Sequence, residues 1–194
     1  MHLKTVALTV AGATGAMAAS LPTAPAGLKV FSVTEVEIKA PAADVASFSS
    51  SASEETVPLD GILTWYTSDV GDDESVPAES LDISKRCGSN QIECHSSNMA
   101  LPLTCGWLID EVRNNPGTMP TSPRSTCLTV RLYGTCCISW SKNAPGAAKS
   151  NFLNAATKTL DTCGDGYVSG KSKDTNIGGV CLTQCLSNRP DGCV

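Results

Sequence analysis

Ten cysteines, Cys87, Cys94, Cys105, Cys127, Cys136, Cys137, Cys163, Cys181, Cys185 and Cys193, crowd residues 87–193 of this chain, and none precedes them. Thiols at that density either cross-link or hold metal. Zinc sites are built from closely spaced Cys and His ligands, but there is no Cys-x2-Cys pair and only one histidine, His95, after Cys87. The even number therefore reads as a framework of five disulfides, with the pairing left open. At about 2–4 kcal/mol each, such bridges would carry a large share of net stability. Neither metal nor cofactor is expected.

The search for catalytic chemistry centres on His95, the one imidazole in this part able to act as a general base. A ribonuclease-like hydrolase would set it beside Glu93 or Glu111 and an arginine such as Arg113 or Arg124. Alternation puts Glu93 and His95 on one face of a short strand, an ordinary solvated arrangement. No complete catalytic site is specified, so the protein reads as non-enzymatic. The stretch from Gly166 to Ser172 looks like a phosphate loop, but three residues separate Gly166 from Gly170 where the Walker pattern needs four. Residues 164–176 are read instead as a long polar loop exposing Tyr167, Lys171 and Lys173, the candidate partner-binding positions. Asp161, Asp165 and Asp174 are too dispersed for a calcium loop. The chain has no Asn-x-Ser/Thr sequon.

Elements that would position these groups follow from apolar periodicity. Between Asn98 and Asn115, Leu101, Cys105, Leu108, Ile109 and Val112 recur at helical spacing. Pro102 suits the first turn, and Pro116 ends the helix. A second helix is expected over 149–163, with Phe152, Ala156, Leu160 and Cys163 in register and Gly164 as its stop. Strands are expected over 126–132 and 136–141. A Tyr133-Gly134-Thr135 loop pairs Leu132 with Cys136, Val130 with Ile138 and Leu128 with Trp140, giving one apolar face. Cys136 then points into a helix-covered core while Cys127 and Cys137 face the other side; a Cys136–Cys137 bridge would be strained. With further strands in 87–95 and 177–186, the fold class is α+β: a small disulfide-stapled sandwich, an antiparallel sheet with two helices on one face.

Upstream, Lys4, the apolar stretch Val6–Ala13 and the small residues around Ala18 form a signal peptide, residues 1–18. It is shorter than the roughly 20 apolar residues a membrane span needs. The product is expected to be secreted and extracellular, without a membrane span, where thiols oxidise. The dibasic pair Lys85-Arg86, directly before Cys87, reads as a processing site. Residues 1–86 hold 5 Lys+Arg against 12 Asp+Glu, a charge of −7, and residues 87–194 hold 9 against 7, a charge of +2. A charge of +2 does not suggest a nucleic-acid binder. Residues 19–86 are thus an acidic, largely disordered pro-segment, given the run Ser47–Glu55 and the cluster Asp69, Asp72, Asp73 and Glu74. Two patches resist that description: Lys29–Lys39, and Leu59–Tyr66 with Ile62, Leu63 and Trp65. They are read as sticky stretches of a flexible leader, with docking on the domain as the alternative. Residues 87–194 are the cysteine-rich domain.

Pro123-Arg124-Ser125, Cys136-Cys137-Ile138-Ser139-Trp140-Ser141, and the segment from Cys181 to Arg189 with Cys193 resemble secreted, cysteine-rich fungal proteins with the WD-like domain. The resemblance covers most of 87–193, implies little about function, and does not imply a propeller, for which one short domain is too small. The two-helix, disulfide-rich layout is more distantly similar to killer toxin-like and necrosis-inducing effector proteins. The expectation is a monomeric secreted protein that recognises an extracellular target at a cell surface or wall. A wall-associated structural protein and a small hydrolase are the alternatives.

Overall fold

Helical spacing of apolar residues yields α1, Pro102–Asn114, which buries Cys105, Trp107, Leu108, Ile109 and Val112. It ends where the Asn115 amide donates to the Glu111 carbonyl. A 3-10 turn, Lys149–Phe152, leads into α2, Leu153–Cys163, whose buried face is small: Ala155, Ala156 and Thr159. In this computed structural model the described residues are 23–41, 56–68, 87–119, 123–191 and 193. The signal peptide and the Lys85-Arg86 pair lie outside them.

Seven antiparallel strands form one sheet: β1 (Leu28–Pro41), β2 (Thr56–Ser68), β3 (Gln91–Cys94), β4 (Pro123–Val130), β5 (Gly134–Trp140), β6 (Gly170–Ile177) and β7 (Val180–Ser187), in the spatial order β1-β2-β4-β5-β7-β6-β3. Both helices pack on one face, as the α+β reading expects. There Leu128, Val130, Cys136, Ile138, Trp140 and Leu186 meet α1 and α2. Phe152 stacks on Trp140, ring centroids 5.4 Å apart, and meets the edge of Trp65 at 6.3 Å. The architecture is a single sheet and not a ring of blades.

Three expectations are corrected. The β4–β5 hairpin pairs Val130 with Gly134, Leu128 with Cys136 and Thr126 with Ile138, so the loop is Arg131-Leu132-Tyr133 and not 133–135. Leu132 (φ 73°) and Gly134 (φ 76°) both adopt left-handed geometry, and Leu132 projects into solvent, 94% exposed. Tyr133 turns inward instead, its ring edge-on to Trp107 at 5.1 Å and its carbonyl accepting a hydrogen bond from Thr104 Oγ1 at 2.9 Å. Each strand has slid by two residues, which preserves the side-chain alternation and leaves Cys136 inward.

The second correction is that much of the expected 164–176 loop is β6, an inner strand between β7 and β3. Before Ile177, which is in the core, its buried side chains are polar: Ser172 and Thr175 bond to one another through their hydroxyls at 2.9 Å. A bulge between them places Asp174 at φ 54°. Gly178 and Gly179, both at positive φ, make the two-residue turn into β7, as right-handed strand twist favours.

Third, the patches expected to be loose parts of a leader are β1 and β2, which pair along their length and join the sheet through β2–β4. Alternation explains this, since Val36, Ile38 and Ala40 face the core while Glu35, Glu37 and Lys39 stay outside. Gly61 lies where a Cβ would come within 2.9 Å of Ile38 Cδ1 and 3.1 Å of Leu128 Cδ1, so it lets these side chains close over the strand. No helix among the described residues is long and apolar enough to cross a membrane.

Candidate functional site

Disulfides clamp both faces of the sheet. On the covered side, Cys105 of α1 is bonded to Cys136 of β5 and Cys94 of β3 to Cys163 at the end of α2, with Cα–Cα distances of 5.1 and 5.5 Å. On the side without helices, Cys127–Cys137 joins directly opposed residues of β4 and β5, and Cys185–Cys193 folds the C-terminal tail onto β7. The expected facing of Cys136 against Cys127 and Cys137 is what the structure has. Four bridges are formed where five were expected: the remaining two cysteines, Cys87 and Cys181, are thiols lying side by side, hydrogen-bonded and not joined. Burial, then the hydrogen bond to Cys181 and the nearby Asp174 carboxylate, pushes the Cys87 thiol up to about 12.

This framework holds a polar cleft of about 140 Å³ on the helix-free face, at the β3–β6–β7 end. His95, Lys171 and Arg189 line it together with Ser97, Ser169 and Ser187. Pairing explains the gathering. Cys94 opposes Gly170, and Lys171 opposes both Glu93 and Cys185. Just past β3, the His95 amide donates to the Ser169 carbonyl at 2.8 Å. Past β7, the Asn188 amide donates to the Asn98 carbonyl at 2.9 Å, bringing Arg189 over the cleft from its other side. Ser187 Oγ donates to the Arg189 carbonyl at 3.3 Å, and Asp191 approaches Arg189 Nε at 3.4 Å.

Gly170 is needed for this packing: a Cβ there would lie 2.7 Å from Thr159 Cγ2, 3.0 Å from Cys163 Sγ and 3.2 Å from the Glu93 carbonyl. Beside the cleft, Lys173 donates to Glu93 at 2.5 Å. That bond, followed by the charges of Lys173, His95 and Lys171, holds the Glu93 carboxyl below its ordinary value against a smaller desolvation effect.

Of the positions singled out in sequence, Lys171 lines the cleft and Lys173 stands next to it in an ion pair with Glu93. Tyr167 is 56% exposed ahead of β6 and is not part of the lining. Glu93 and His95 share the β3 edge, but the other expected hydrolase partners do not join them. Glu111 stands with Trp107 beside Glu37 and Lys39 of β1, at the opposite edge of the sheet. Arg113 pairs with Asp110 on α1, and Arg124 Nε donates to the Trp140 carbonyl at 3.2 Å. Sequence reading missed Ser97, Ser169, Ser187 and Arg189, which no spacing marks. Only the β6–β7 pairing and the folded-back tail bring them to Lys171. Among the described residues no three His, Cys, Asp or Glu side chains gather as metal ligands.

The family model described as Fungal WD-like matches residues 70–193, beginning just after β2. No curated protein and no solved structure matches the chain.

Proposed function

This chain belongs to the fungal WD-like family, and from that premise we propose that it is an exported, non-enzymatic recognition protein. It is released from an acidic precursor by cleavage after Lys85-Arg86 and acts at a cell surface or wall, as an effector or antagonistic toxin does. The observation that carries the reading is the placement of the disulfides. They tie both helices, the β4–β5 pair and the tail to one sheet, the kind of rigid scaffold on which contact residues are displayed. Protein collected from culture medium is expected to start at Cys87, to carry no free-thiol reactivity once Cys87 and Cys181 have joined, and to be retained on plant or microbial cells. No retention and no growth effect across such cells would sink the reading.

One observation favours a second reading, a small ribonuclease: Glu93, His95, Lys171 and Arg189 lie at one end of the same sheet face. General base, carboxylate and cations are the groups phosphodiester cleavage uses. RNA cleavage that disappears in His95→Ala would establish this reading in place of the first. Cleavage that persists in that variant would remove His95 as its base.

A further inference from the structure

We propose that the β3–β6–β7 cleft is a binding site for one tetrahedral oxyanion, a phosphate or sulfate ester group carried on a small polar molecule such as a sugar. The inference deepens the recognition reading and rests on it. Three features of the lining set the ligand class. The first is charge. Lys171 and Arg189 are the basic side chains of the lining, one from β6 and one from the tail after β7. The acidic groups nearby are Glu93, which is bound to Lys173, and Asp191, which reaches only Arg189 Nε at 3.4 Å. Lys171, Lys173 and Arg189 against Glu93 and Asp191 leave one net positive charge before His95 is counted.

The second feature is donor chemistry. Ser97 and Ser169 line the same space, while the Ser187 hydroxyl is already donated to the Arg189 carbonyl. Guanidinium, ammonium and hydroxyl groups in one lining suit an anion with several equivalent oxygens, since Arg offers a planar fork and Lys a point charge. The third is size and polarity. At about 140 Å³ the cleft is well below the roughly 300–1,000 Å³ that a drug-sized ligand occupies. Its lining has no large apolar side chain on which a base or a lipid tail would settle. A compact charged group fits it; an extended apolar one does not.

The site is also built to persist. Cys185–Cys193 and Cys94–Cys163 fix two of its walls, and Gly170 lets α2 press on the strand beneath it. Lys173 is taken up by Glu93 and Arg189 Nε by Asp191, so the donors left for an incoming anion are the Lys171 ammonium and the remaining guanidinium nitrogens of Arg189, held in position by the frame.

The test is an amide-shift titration of the oxidised protein with inorganic phosphate, inorganic sulfate, mannose 6-phosphate and glucose 6-sulfate, repeated with Lys171→Gln/Arg189→Gln. Saturable shifts at His95, Ser169, Lys171 and Ser187 are expected, weakened by added salt and about ten- to a hundredfold weaker in the variant, the loss that follows from removing charged hydrogen bonds. Both side chains are partly exposed, and an unchanged amide pattern away from the cleft confirms that the variant folds. Binding of the sugar esters above the free ions, or of phosphate above sulfate, identifies the source of the group. No saturable shift at these residues, equal shifts in wild type and variant, or binding of an oligoribonucleotide with no response to the sugar esters would each overturn the proposal. Retention on cells without anion binding sinks this inference and spares the recognition reading. Anion binding without cell retention supports the inference and sinks that reading.

Discussion

At one end of the sheet the β1–β2 hairpin is joined to β4 by strand pairing and by Ile38, Ala40, Leu63 and Trp65 sunk into the common core. At the other, β3, β6 and β7 meet α2 and the tail through Cys94–Cys163 and Cys185–Cys193. The first end has no cysteine, and Glu35, Glu37 and Asp60 there line a depression of about 570 Å³ shared with Arg131. The second carries Lys171, Lys173, His95 and Arg189. Packing alone can be undone by one cut and a modest change in conditions; a covalent tie cannot. A chain cleaved after Arg86 would have no disulfide between the hairpin and the cysteine-rich domain, because every cysteine follows that point. The family match excludes the hairpin as well, starting at residue 70. Under the proposed cleavage after Arg86 the packed end would be the detachable one, and the bridged end would remain to display a site.

The strongest way to break that comparison is Trp65→Ala. Trp65 is 6% exposed, lies edge-on to Phe152 and has the Lys149 ammonium 5.3 Å from its ring. Truncating a buried aromatic costs about 3–5 kcal/mol. The loss is expected to fall on hairpin docking. Amide protection along β1 and β2 should collapse while that of Ile138 and Leu186 persists, as in a locally unfolding unit. Equal loss of protection across all seven strands would mean that both ends unfold as one unit.

Next in size is the double change Cys105→Ala/Cys136→Ala, which removes a fully buried bridge closing 31 residues. Loss of such a disulfide costs about 2–5 kcal/mol. Here the midpoint of global unfolding in urea should fall, because the bridge ties α1 to the centre of the sheet. If hairpin protection alone fell, the bridge would be serving the packed end.

A matched pair of glycine changes sharpens the contrast further. In Gly170→Ala the added methyl meets Cys163 Sγ within a disulfide and the Glu93 carbonyl, neither of which can swing away. Overpacking of this kind costs about 1–3 kcal/mol. In Gly61→Ala it meets the ends of Ile38, Leu128 and Val36, and such side chains turn aside at a lower cost. Thermal midpoints should therefore fall more for the change at 170. The reverse order would show that the hairpin end is the more rigid.

These differences bear on what could be read from sequence. The helices were legible, because Cys105, Leu108, Ile109 and Val112 carry an unbroken apolar stripe. The facing of Cys136 against Cys127 and Cys137 was legible too, since alternation survives an even slip in register. The slip itself was hidden: Leu132 looks like an inward residue, and only the left-handed geometry there and at Gly134 turns it out. β6 escaped because its inward Ser172 and Thr175 satisfy each other and so give no apolar alternation. β1 did show alternation, with Val36 and Ile38 set between Glu35, Glu37 and Lys39, but its acidic, low-complexity surroundings argued for disorder. The cleft was not legible. Ser169, Lys171, Ser187 and Arg189 become neighbours through β6–β7 pairing and the tail's return, which no local pattern encodes.

The smallest expected effect concerns Glu93 and acid. Its carboxyl is held below the ordinary value of 4.5, first by the Lys173 hydrogen bond. A depressed carboxylate contributes stability that is fully present above its unfolded value and is lost as pH falls through the lowered folded one. The β3–β6 pair should accordingly loosen only as pH drops below about 4.5, seen as faster exchange of the Ile92 and Ser172 amides relative to Ile138. Both partners of the ion pair are 48% exposed, so salt should blunt the effect. Glu93→Gln should remove the acid step at this edge and leave the β1–β2 pair unchanged. An acid step that survives in the variant would assign the sensitivity to another carboxylate at the cationic end, where Asp191 beside Arg189 is the next group to replace.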